Sequence, residues 1–145
     1  MPTLTNEGKY AGPHPVIHPD NEDYWKAVGE GELKLQQCDN CQTIRFPLAP
    51  VCYKCGSMEA HWVPVPADGN VSAAIRIERA TGDQLWAVQV PLIAGQVDLE
   101  NGMRLPGRIF CACGEALEHG TPVTGSYQEV EGGYGVLCFT HRCAA

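Results

Sequence analysis

The sequence predicts a mainly β protein, a short helix and a small ribbon followed by a five-stranded barrel, and three observations predict it. Two Cys-x-x-Cys turns, Cys38-Asp39-Asn40-Cys41 and Cys52-Tyr53-Lys54-Cys55, stand ten residues apart. A single short stretch ahead of them carries helical spacing, with Tyr24, Trp25 and Val28 three and four residues apart. From Val71 onward the apolar residues keep a strand rhythm, interrupted by glycine turns and by no convincing long helix.

Residues 1–19 contain Pro2, Pro13, Pro15 and Pro19 with Gly8 and Gly12, a composition that resists helix and sheet alike and predicts an extended arm. His14 and His18 in it read as solvated tail histidines. At Asp20 the pattern changes, because Asp20-Asn21-Glu22-Asp23 can cap and charge the N-terminus of a helix that Gly29 and Gly31 then end. A helix of about two to three turns is too short to stand alone, so its aromatic face must dock, on this chain or on another protein.

Leu33–Gln37 and Thr43–Phe46 alternate as strands into and out of the first cysteine turn, Pro47 and Pro50 stop the pairing, and His61–Val63 supplies a last strand. Two residues between cysteines bring both sulfurs of a pair to one side. Two such turns facing each other therefore close a tetrahedron of four thiolates, Cys38, Cys41, Cys52 and Cys55, around one structural Zn²⁺. Spacing and context favour this over two disulfides or a redox pair. A short spacer fits a compact rubredoxin-like ribbon, with Gly56 free to take a positive φ after the second pair. Arg45 and Lys54 are placed to offset the charge of the sulfurs. The helix and ribbon span residues 20–64.

Residues 65–145 read as the barrel. Strands are expected near Val71–Glu78, Leu92–Leu99, Met103–Cys111, Pro122–Gln128 and Gly135–Thr140, and Glu100-Asn101-Gly102 is the strongest hairpin signal in the chain. Five short strands with glycines at bends point to a small barrel of the oligonucleotide/oligosaccharide-binding (OB) type, with a sandwich as the alternative.

With 10 Lys+Arg against 17 Asp+Glu the net charge is −7, and no basic run offers a phosphate-binding stripe, which argues against nucleic-acid binding by a free-standing ribbon/OB protein. No signal peptide or membrane span is visible, so a cytoplasmic protein is expected, whose eight cysteines serve as metal ligands and free thiols. No nucleophile elbow, phosphate loop or open metal motif occurs, so no catalytic residues of its own are expected. Cys111, Cys113, Cys138 and Cys143, with His119 and His141, are the one cluster able to hide a second metal site, although Cys-x-Cys is an unusual structural spacing. Trp86 and Leu85, in the loop after Thr81-Gly82-Asp83, form an apolar tip suited to binding a partner or to covering a barrel end.

The order of parts resembles the DUF35-type zinc-ribbon/OB-fold proteins, over residues 20–142. The resemblance rests on Asp23-Tyr24-Trp25, on Gly31–Cys38, on Arg45-Phe46-Pro47 between the cysteine pairs, on Gln96–Gly102 and on His119–Val123. It departs at Leu48-Ala49, where the family usually has Pro-Arg. It implies a non-catalytic partner subunit of a thiolase-fold enzyme acting on a CoA thioester, making or breaking a carbon–carbon bond in the degradation of an aromatic or steroid compound. Tyr24, Trp25 and Trp86 are then candidate partner contacts, and Arg76 and Arg108 candidates for acyl-CoA phosphates, with surface ion pairs to Glu78 and Asp98 as the alternative reading. An independent acyl-CoA-binding protein is the third reading.

Overall fold

The computed structural model describes residues 9–112 and 117–141. Helix α1 (Glu22–Gly29) is followed by β1 (Lys34–Cys38), β2 (Ile44–Arg45) and β3 (Ala60–Pro64), which form a three-stranded antiparallel sheet in the order β2-β1-β3. β4 (Gly69–Ile77), β5 (Leu92–Leu99), β6 (Arg104–Cys111), β7 (Pro122–Val130) and β8 (Tyr134–His141) close into a barrel in the order β4-β5-β6-β8-β7. The fold is mainly β, a zinc ribbon and an OB barrel, and closure excludes the sandwich.

Closure is made at two places. β6 runs parallel to β8 through the pairs Ile109↔Phe139 and Cys111↔His141, and β4 meets β7 through Gly69↔Val123. Among the described residues, every barrel strand therefore has a neighbour on both sides, and none is an open template for another strand. The Asn-Gly turn joins β5 to β6 as expected: Gly102 has φ +87° and Asn101 Oδ1 accepts from the Met103 amide at 3.1 Å. Alternation along the strands sends Val71, Val97, Leu105, Ile109 and Phe139 inward, where all are fully buried. Each such side chain contributes roughly 1.5–3 kcal/mol of transfer free energy.

Helix α1 opens at Asn21, whose side chain turns back to accept from the His18 amide at 2.7 Å, fixing the approaching chain instead of capping the helix. Glu22 and Asp23 supply the negative first turn. Tyr24 and Val28 are buried in the same apolar cluster as Leu33, Leu35 and the barrel interior, so the helix docks on its own chain. Its C-terminus presses backbone against backbone on β8: a Cβ at Gly135 would lie 2.7 Å from the Gly29 nitrogen and 2.8 Å from the Val28 carbonyl. Only glycine permits that approach.

The stretch between β4 and β5 reads as a loop in the sequence, yet it contains a one-turn helix, α2 (Gln84–Ala87), started by Asp83 accepting from the Leu85 amide at 2.7 Å. A single turn of four residues is too short to carry a periodic signal. Ahead of α1, Lys9 bridges Glu129 of β7, and Tyr10 packs edge-on against Trp86 with ring centres 6.0 Å apart.

Candidate functional site

The two cysteine turns are built alike. In the first, the Cys38 amide donates to Thr43 O and the Gln42 amide to Cys38 O; in the second, the Cys52 amide donates to Ser57 O and the Gly56 amide to Cys52 O. The residue after each pair takes a left-handed backbone, Gly56 at φ +78° and Gln42 at φ +62°. Gly56 does so at no steric cost, whereas Gln42 is held there: its side-chain amide donates to Asp39 O, and Gln37 donates to its carbonyl, both at 3.0 Å.

These turns bring the sulfurs of Cys38, Cys41, Cys52 and Cys55 within 4.8 Å of one another. Cys38 and Cys55 Sγ are 3.5 Å apart, Cys41 and Cys52 Sγ 3.6 Å, far beyond a disulfide bond of about 2.05 Å. Ligands at about 2.3 Å from one tetrahedral Zn²⁺ stand roughly 3.8 Å apart, so the set fits a single zinc ion with all four positions filled by protein. The surroundings favour the thiolate at Cys41 and Cys55, whereas at Cys38 the lowering by backbone hydrogen bonds is outweighed by burial and the neighbouring sulfurs, which raise the thiol. The Thr43 hydroxyl and backbone hold the Cys41 thiol down to about 6, and the Asn40 side chain followed by the Ser57 backbone lowers Cys55. One structural zinc ion is the cofactor; it supplies cross-linking, with no open position for a substrate. His61 Nδ1 against Asp39 Oδ1 ties β3 to the first turn.

The expected charge-offsetting role of Arg45 is not what its bonds show. The side chain is 2 % exposed, and it donates from Nε to Gln36 Oε1 at 3.1 Å and from Nη2 to Ala49 O at 2.9 Å, which ties the loop between the cysteine pairs to β1. Lys54 is exposed. Arg45 Nη1 and Trp25 Nε1 are buried with no partner among the described residues. Trp25 lines a cleft of about 390 Å³ between the start of α1 and the Phe46–Pro50 loop, which includes Leu48.

Of the aromatic candidates, Tyr24 is enclosed in the core, its hydroxyl pushed up to about 12 by burial, while Trp25 is half-buried. Sequence reasoning missed the second cysteine turn as a surface: Tyr53 and Met58 are 77 % and 73 % exposed, with Val51 beside them. Their exposure follows from the turn's having no interior to bury them in, a signal that apolar residues inside a ligand loop carry.

Arg76 and Arg108 do not form one patch. The register pairs Arg76 with Ile93 and Arg108 with Ala94, neighbouring positions on β5, so the two arginines point to opposite faces of the sheet. Arg76 pairs with Glu78 at 2.6 Å and Arg104 with Asp98 at 2.6 Å. Arg108 has no carboxylate partner among the described residues; Nη1 donates to Gln89 Oε1 at 2.6 Å and the guanidinium lies over the Phe110 ring. Cys111 Sγ and His141 Nδ1 come within 3.4 Å of each other, but Cys138 faces Gln128 and His119 faces Ser72 O, so among the described residues the four do not gather at one point; Cys113 and Cys143 lie outside the described residues. Burial pushes the Cys138 thiol up to about 12, where it is neutral and unreactive.

Two domain profiles match the chain: "ChsH2, rubredoxin-like zinc ribbon domain" over residues 25–59 and "ChsH2, C-terminal OB-fold domain" over residues 62–128. A "Probable enoyl-CoA hydratase alpha subunit" of Thermomonospora curvata is 29% identical over 119 residues, 82% of this chain but only 36% of that protein, so the chain spans about a third of it. A "DUF35 domain-containing scaffold protein" of Methanocaldococcus jannaschii is 26% identical, covering 81% of this chain and 85% of that one. Among solved structures, a chain of "Ltp2-ChsH2(DUF35) aldolase" superposes with a TM-score of 0.76 at 26% identity, covering 88% of this chain and 98% of that one. A DUF35 protein of Sulfolobus solfataricus, at 13% identity and a TM-score of 0.56 over 86% of each chain, shares the fold.

Proposed function

Because the chain belongs to the DUF35-type zinc-ribbon/OB-fold family, we propose that it is a non-catalytic subunit that docks on a thiolase-fold enzyme and supports its work on a CoA thioester. The observation that carries the reading is the match to nearly the whole of one chain of the Ltp2-ChsH2 aldolase. An aldolase makes or breaks a carbon–carbon bond, and the two curated relatives are described as a subunit and as a scaffold, words for proteins that act within an assembly.

The geometry fits that role. A filled zinc tetrahedron offers rigidity without reactivity, and around it Tyr53, Met58 and Val51 present apolar surface that no described residue of this chain covers. An exposed tyrosine and methionine on a rigid turn lose little conformational freedom on binding, which is what an interface anchor requires. The partner therefore grips the second cysteine turn, with the Trp25 cleft beside α1 as a further contact.

Co-purification tests this. The tagged chain brings down a thiolase-fold enzyme; Tyr53→Ala, combined with Met58→Ala, keeps one zinc per chain and weakens capture by at least tenfold, whereas Cys38→Ser loses both zinc and capture. Undiminished capture by the double variant overturns the docking surface, and a chain that captures no such enzyme overturns the function.

A further inference from the structure

Where the segment between β4 and β5 crosses the outer face of the barrel, it leaves a cavity. Cross-strand pairing puts Ile77, Leu92, Ala94 and Arg108 on this face, because Ile77 is opposite Leu92 and Ala94 opposite Arg108. The segment carrying α2 folds back over them, with Thr81 and Trp86 closing the roof of a cavity of about 330 Å³. Its size is at the lower end of the range of small-molecule sites, and its walls are aliphatic and aromatic.

Arg108 is the one charged side chain among those walls. It is half-buried, and no carboxylate lies within ion-pair distance of it among the described residues. The neighbours that could carry negative charge do not do so at neutral pH, since burial raises both the Cys138 thiol and the Tyr10 hydroxyl. Gln89 offers a neutral oxygen, and Phe110 a ring face. A desolvated cation facing neutral groups is costly unless an anion joins it. In a chain of net charge −7 this arginine stands beside an apolar cavity with no carboxylate on it among the described residues.

We propose that the cavity beneath α2 binds a small amphipathic carboxylate, its hydrocarbon body between Leu92, Ala94 and Trp86 and its carboxylate on the Arg108 guanidinium. One half-buried cation neutralises one charge. A phosphate dianion would bring uncompensated charge into an apolar space, so the single-charged acid is the better match. Tyr10, edge-on to Trp86, braces the roof from the side of the N-terminal arm. The site lies on the barrel and needs no second chain, so it stands whether or not the proposed partnership does.

The test is calorimetric titration of the zinc-loaded full chain with 3-phenylpropanoate, with the neutral 3-phenylpropan-1-ol and with coenzyme A, alongside the Trp86 indole signal in NMR spectra. The acid binds at least tenfold more tightly than the alcohol and moves the Trp86 signal. Arg108→Gln abolishes the preference, binding acid and alcohol alike. The comparison of acid with alcohol needs no variant, so it holds even where Arg108→Gln fails to fold. Equal binding of the two by the unaltered chain, an unmoved Trp86 signal, or coenzyme A that moves the Trp86 signal and is not displaced by the acid overturns the assignment.

Discussion

Between Cys38 and Glu59 the buried side chains are Cys38, Arg45 and Cys52, whereas the barrel buries Val71, Val97, Leu105, Ile109 and Phe139 completely. One region has sulfur where the other has hydrocarbon. Leu33 and Leu35 of β1 do not blur the contrast, because they belong to the apolar cluster that α1 shares with the barrel. A loop of this length cannot exclude enough water to hold itself together, so four bonds to one ion replace the missing interior. The barrel, in contrast, is stabilised by a contiguous apolar cluster and by closure of its own hydrogen-bonded ladder.

The sharpest way to break this comparison is to remove the metal. Structural zinc contributes on the order of 10 kcal/mol or more to the fold it organises, so chelation melts residues 38–59 while barrel amides remain protected from exchange. Amide signals of the turns that keep their dispersion without metal would abolish the distinction. The converse change is Phe139→Ala, which leaves a void where the largest fully buried side chain stood and lowers the barrel's stability by about 3–5 kcal/mol in urea unfolding, with zinc content unchanged. A smaller effect is expected where the regions touch. Gly135→Ala places a methyl group against the α1 backbone and costs about 1–3 kcal/mol, with chemical-shift changes centred on Val28 and Gly29.

The smallest effect is electrostatic. The Arg104 hydrogen bond holds Asp98 below the usual carboxylate range, and both side chains are well exposed. A folded pKa below the unfolded one means that the pair's stabilisation is present above the unfolded-state value of about 3.9 and is lost as pH falls through the folded value. Asp98→Asn is thus slightly less stable than the unaltered chain at neutral pH, and the two thermal midpoints converge in acid. A gap that persists at pH 2 would assign the effect to packing.

How much of this is legible in the sequence divides along physical lines. Local signals suffice for the cysteine turns, the Asn101-Gly102 hairpin and all eight strands, because spacing, turn chemistry and alternation are properties of a few adjacent residues. Long-range consequences are not local. The sequence around Arg45 does not say that a charged side chain will be 2 % exposed, since the Gln36 acceptor is brought by pairing with β1 and the Ala49 carbonyl by the fold of the following loop. That Arg76 and Arg108 point to opposite faces depends on register across three strands, and the roof over Arg108 on the course of a whole loop. In the candidate site the ligands are readable one by one, while exposure of Tyr53 and Met58 comes from an interior that the ribbon lacks.

The contact of Gly29 with Gly135 also has a mechanical meaning. Because main chain meets main chain there, no flexible side chain cushions the junction, and the helix that sits on the ribbon has no room to slide along the barrel. A body clasping the cysteine turns at one end would hold the strands at the other at a set offset and angle, like the fixed jaw of a caliper.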